Sequence, residues 1–95
     1  MEQEMLSQEY LDEVRKRCEA ATAAPWISFV EGRDFTGGDS VIGRGPNRSE
    51  ADLYLTGETI ADQDFIAHAR QDVPLLLAEI ARLRSKLSTL GRYEP

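Results

Sequence analysis

Residues 64–84 read DFIAHARQDVPLLLAEIARLR, and the fold turns on how the chain passes Pro74. Ahead of the proline, Ala61, Phe65, Ile66 and Ala69 recur at helical spacing, and Thr59 with Asp62 three residues on forms a shortened capping box that opens a helix. A proline pushes the residue before it out of the α region but suits the first turn of a helix. The stretch therefore predicts a short helix, a break, and a longer helix capped by Asp72 or Val73. Beyond the break, Val73, Leu76, Ile80, Leu83, Leu87 and Leu90 follow one another in steps of three and four, the spacing of a coiled-coil seam, until Gly91. About two and a half heptads are too few to stand alone. Leu75 and Leu77 widen the stripe, so one flank is expected on the protein's own sheet and the other on a second copy. Leu83, Leu87 and Leu90 are the expected homo-oligomer interface. Glu79, Arg82, Arg84 and Lys86 read as a solvated face.

Working towards the N-terminus, PWISFV, SVI and ADLYL are short β-prone runs separated by EGRDFTGGD and GRGPNRSE, whose Gly, Pro, Asn and Asp content marks turns. They predict a three-stranded antiparallel meander. In WISFV either Trp26, Ser28 and Val30 or Ile27 and Phe29 face inward. Ser7 can cap a first helix over roughly residues 8–22, with Leu6 and Leu11 as its hydrophobic staple and Leu11, Val14, Cys18 and Ala21 on one stripe, closed by Pro25. The expected fold class is α+β: an N-terminal helix, the meander, then a short and a longer helix. Residues 1–95 are read as a single domain with residues 1–6 and 91–95 as flexible tails.

A chain of 95 residues buries only about 60–65% of its unfolded surface, which makes its core small and favours association. With 41% hydrophobic and 29% charged residues it has the composition of a globular domain. A net charge of −6 removes the attraction on which non-specific binding to duplex nucleic acid or anionic membranes depends. One cysteine, Cys18, excludes an internal disulfide, and with a single histidine there is no Cys/His zinc set. Cys18 fits a small core residue better than a nucleophile. The acidic N-terminus has no apolar signal core, and no run approaches the roughly 20 apolar residues of a membrane span. A cytoplasmic protein is expected.

The polar residues assemble no catalytic constellation: there is no nucleophile elbow, no phosphate-loop lysine and no metal-ligand spacing, so neither enzyme activity nor a cofactor or metal is expected. Arg33, Arg44, Arg48 and Arg70 are the cations between Ala23 and Asp72, a stretch where acids outnumber them. Arginine suits phosphate because its planar fork gives two hydrogen bonds at once. Arg44, Asn47, Arg48 and Arg70, with His68 and with Trp26 as a stacking surface, are the expected ligand-binding residues for a small anion. The competing reading pairs each arginine with a neighbouring acid, makes Trp26 a core anchor, and leaves His68, Arg70 and Asp72 as the skin of a hinge.

RCEAATAAPW followed by ADQDFIAHARQDVPLLLAEIARLR resembles the small phage and prophage accessory proteins of the Ead-like type. Their form is Ala-Ala-Thr-x-Gly-Pro-Trp, a variable β middle, and Asp-x-x-Phe-Ile-Ala-x-Ala-Arg-x-Asp-Val-Pro-x-Leu-Leu. Ala24 stands where that pattern has glycine. The resemblance implies a phage-encoded, non-enzymatic protein acting inside the bacterial cell as an oligomer. Joined to the arginine-bearing loops, it leads to the expectation of a protein that sequesters a small anionic nucleotide signal of antiphage defence. The alternative is a regulator that binds a host or phage protein through its helical surface.

Overall fold

The computed structural model describes residues 5–91, in the order α1 (Gln8–Ala20), β1 (Trp26–Phe29), β2 (Val41–Arg44), a 3₁₀ turn (Pro46–Arg48), β3 (Glu50–Leu53) and α2 (Ile60–Thr89). The chain is α+β, as the pattern predicts. Most of the two expected tails falls at residues 1–4 and 92–95, outside the described residues. Ala21–Asp72 forms one compact unit; residues up to 20 and from 73 onward form another.

In the second of these units α1 starts where the cap residue says it should, with the Tyr10 N–H donating to Ser7 Oγ at 3.0 Å. Leu11 is buried, Val14 and Cys18 are half-buried, and Ala21 just past the helix is exposed. On α2, Arg84 donates to the Leu6 carbonyl and to Gln8 Oε1, which ties the two helices together at the start of α1.

In the unit of residues 21–72 the three strands are antiparallel in the order β1-β2-β3, with Trp26 opposite Arg44 and Phe29 opposite Val41. Between β2 and β3, Ile42 pairs with Leu53 and Arg44 with Glu50, so two β3 residues oppose Gly43 and a bulge results. Gly43 is needed for space rather than for conformation: a Cβ there would come within 2.9 Å of both Arg48 Nε and a Phe29 ring carbon. The turn that follows holds Asn47 at φ 55 and Arg48 at φ 53, the left-handed region that asparagine tolerates better than arginine.

The sequence reading fails at Pro74. α2 is one continuous helix of 30 residues with the proline inside it, so there is no break, and Asp72 and Val73 are helical residues rather than caps. Pro74 offers no N–H to the Arg70 carbonyl, a loss worth about 3 kcal/mol in an isolated helix. Tertiary contacts on both sides override it. Arg70 and Gln71 are fixed to the 21–26 segment on one side, Arg84 is fixed to α1 on the other, and the intervening Leu, Ala, Glu and Arg are strong helix formers.

The start of α2 bears out its capping box, with the Asp62 N–H on Thr59 Oγ1 at 3.0 Å and the Thr59 N–H on Asp62 Oδ2 at 3.1 Å. Its inward face, however, is the reverse of the expected one. Phe65 is 75% exposed and Ile66 also points out, whereas Gln63 and Ala67 are buried. With Gln71, these two residues form a stripe at steps of four.

Candidate functional site

Gln63 and Gln71 set the geometry of this unit. Gln63 Nε2 lies 2.9 Å from Ser28 Oγ, 3.1 Å from the Val41 carbonyl and 3.3 Å from the Phe29 carbonyl, its two N–H groups shared among the three acceptors. Gln71 grips the backbone of one residue from both sides: its Oε1 accepts from the Trp26 N–H at 2.8 Å and its Nε2 donates to the Trp26 carbonyl at 3.2 Å. Eight helix residues rise about 12 Å, and the three steps from Trp26 to Phe29 span about 10 Å. The two glutamines therefore clamp β1 along its length, with the small side chain of Ala67 between them.

Trp26, held in this way, lies beside Thr22, on which three of the expected site residues converge. The Thr22 carbonyl accepts from the indole Nε1–H of Trp26 at 3.0 Å and from Arg70 Nε at 2.8 Å, and the Thr22 hydroxyl accepts from Arg44 Nη1 at 3.0 Å. Arg44 also donates from Nε to the Ala51 carbonyl, and its guanidinium carbon sits 5.8 Å from the centroid of the Trp26 ring across the β1–β2 pair. All four residues are half-buried. Neither Arg44 nor Arg70 makes an ion pair with any described carboxylate, and the two terminal nitrogens of Arg70 have no acceptor among the described residues.

The other expected residues lie elsewhere. Arg48 packs over the Phe29 ring at 4.5 Å and bonds Asp52 at 2.6 Å. Phe29 and Trp26 are three residues apart on one strand, so Arg48 is on the face of the sheet opposite Arg44. Asn47 is exposed at the turn beside it. His68 is exposed, with Nδ1 2.8 Å from the Asp64 carbonyl. A carbonyl only accepts, so Nδ1 is the donor in this contact. Trp26, Arg33, Asp64, His68 and Gln71 line a recess of about 360 Å³, and neither Arg44 nor Arg70 is among its lining residues.

Arg33, paired with acids as the competing reading supposed, donates two bonds to Asp64 at 2.8 and 3.1 Å and others to Asp34. Asp34 in turn accepts the Val30 N–H at 2.8 Å, which fastens the β1–β2 loop to α2. The Arg33 fork, then the Ser28 hydroxyl, hold the Asp64 carboxyl down at about 2. A carboxylate whose folded value is depressed contributes stability above its unfolded value near 4 and loses it as pH falls towards the folded one. Asp64→Asn is accordingly expected to be less stable than the parent at neutral pH and to converge with it as pH falls from about 4 to about 2. Thermal melts followed by circular dichroism across that window check this; parallel acid limbs would contradict it.

Thr22, Gln63 and Gln71 are absent from the sequence reading. The one local signal was the spacing of Gln63, Ala67 and Gln71 on a single helical stripe, which reads as solvent-facing until the strand beside it is known. Among the described residues no group of His, Cys, Asp and Glu could hold a metal ion, and no helix is long and apolar enough to cross a membrane. No protein-family model, curated protein or solved structure matches the chain.

Proposed function

We propose that the protein binds a small anionic ligand of the nucleotide type at Arg44 and Arg70, with the Trp26 indole as its stacking surface, and that it acts by sequestration rather than by chemistry. One observation carries this reading. In a chain of net charge −6, Arg33 and Arg48 are neutralised by acids, whereas Arg44 and Arg70 are half-buried, brought together by Thr22, and have no carboxylate partner among the described residues. Forks already oriented, by one hydrogen bond at Arg70 and two at Arg44, spend little entropy when their remaining N–H groups meet a phosphate. Together with the Ead-like resemblance of the two ends, this favours a phage accessory protein that captures a nucleotide signal of bacterial antiphage defence.

The test is isothermal titration of the full chain with a panel of cyclic nucleotides and cyclic ADP-ribose isomers. Arg70→Ala is expected to weaken binding about ten- to a hundredfold, or about 1.5–3 kcal/mol, and Arg44→Ala similarly. Arg48→Ala should leave affinity unchanged. Absence of heat across the panel with the parent, or full affinity in both Arg44→Ala and Arg70→Ala, would overturn the proposal.

A further inference from the structure

The second unit carries an apolar face that is covered only in part, with Val73 and Ile80 half-buried. Among its described residues Leu11 alone is buried, while on α2 Leu76, Leu83, Leu87 and Leu90 are 62%, 44%, 40% and 61% exposed. With Val73 and Ile80 they form an uninterrupted seam of alternating three- and four-residue steps. Such a seam matches a second seam of the same spacing, which a copy of this chain supplies.

The charges beside the seam choose the direction of pairing. One flank carries Leu77 and Arg84, and Arg84 is already bonded to Gln8 of α1 and to the Leu6 carbonyl just ahead of it. The other flank carries Glu79, which accepts from Arg82 one turn on at 2.6 and 3.1 Å and keeps lone pairs for a further donor, and, seven residues on, Lys86. In a parallel pair Glu79 would meet the partner's Arg84, whose donors are engaged by α1, and Lys86 would meet Gly91. In an antiparallel pair the outer flanks run side by side, and Glu79 of each copy lies against Lys86 of the other, twice by symmetry. Val73, Leu76 and Ile80 then share layers with Leu90, Leu87 and Leu83 of the other copy.

We infer that the protein is an antiparallel homodimer through the Val73–Leu90 seam of α2, with Glu79 and Lys86 as its reciprocal ion pairs. This does not depend on the anion site. Sedimentation equilibrium of the full chain is expected to give twice the 10.6 kDa monomer mass; monomer throughout would overturn the inference. Glu79→Lys and Lys86→Glu should each weaken the dimer about three- to tenfold, and the double exchange should restore it. No recovery in the exchange variant counts against the antiparallel direction. In a Cys18→Ser background, Leu76→Cys with Leu87→Cys should form a disulfide-linked dimer on oxidation. Leu87→Cys alone should not, because its copies lie about 16 Å apart across the two-fold axis, beyond disulfide reach. Ready cross-linking of that single variant would show a parallel pair and overturn the inference.

Discussion

Gln63→Leu is expected to lower the unfolding free energy by about 2–3 kcal/mol and the melting temperature by about 10–20 °C, although leucine fits the side-chain volume. Gln63 is 2% exposed and its one amide nitrogen faces Ser28 Oγ and the carbonyls of Phe29 and Val41. Leucine removes the donor and leaves three oxygens with poorer solvation in the middle of the unit, and the cost falls mainly on them. Gln63→Glu separates this from a packing effect. An ionised carboxylate cannot donate to those oxygens, and burial among them raises its folded pKa above the unfolded value near 4.3. A raised folded value means that the stability is fully present below about pH 4.3 and is lost as pH rises through the folded value. Gln63→Glu should therefore melt higher at pH 4 than at pH 7 relative to the parent. A pH-independent difference would place the cost in shape rather than in hydrogen bonding.

Trp26→Ala is expected to cost about 3 kcal/mol, the low end for a large aromatic because the ring is half-buried, and to abolish ligand binding where Arg44→Ala and Arg70→Ala only weaken it. The indole supplies the bond to the Thr22 carbonyl and the surface over which Arg44 sits. Its loss leaves Arg44 without the ring it packs over and the Thr22 carbonyl, which also accepts from Arg70, without one of its two donors. Trp26→Phe keeps a ring and removes only the Nε1–H, so it should cost about 1 kcal/mol. If Trp26→Phe destabilises as much as Trp26→Ala, the hydrogen bond and not the ring anchors this end of the sheet; denaturant titration of the two variants decides.

Features written in local chemistry were legible: the Ser7 cap, the Thr59–Asp62 box, the turn glycines and the three β-prone runs all occupy their expected places. What periodicity does not carry is which face of a helix is covered. Phe65 and Ile66 lie on one face and Gln63 and Ala67 on another, and both spacings are equally helical. Only the tertiary partner, β1, makes the glutamine face the inner one. Pro74 failed for the same reason, since a local rule worth a few kcal/mol was outweighed by anchors at Thr22, Trp26 and Leu6 that lie far away in sequence. Of the candidate site, the arginines and the tryptophan were legible by type. Their grouping was not, because Thr22 joins Arg44 and Arg70 through contacts 22 and 48 residues apart.

A small sheet offers two outer strands to any other chain, and backbone groups left open there are templates for uncontrolled β-polymerisation. At Trp26 the Gln71 amide occupies both groups with the donor and acceptor that a neighbouring strand would have presented. At the opposite margin, the bulge at Gly43 and the acids Glu50 and Asp52 on β3 make a flat, uncharged approach impossible. A small core resists local opening less than a large one, so closing both margins matters more here than in a larger domain. Chance meetings between copies are thereby steered away from edge-to-edge strand pairing.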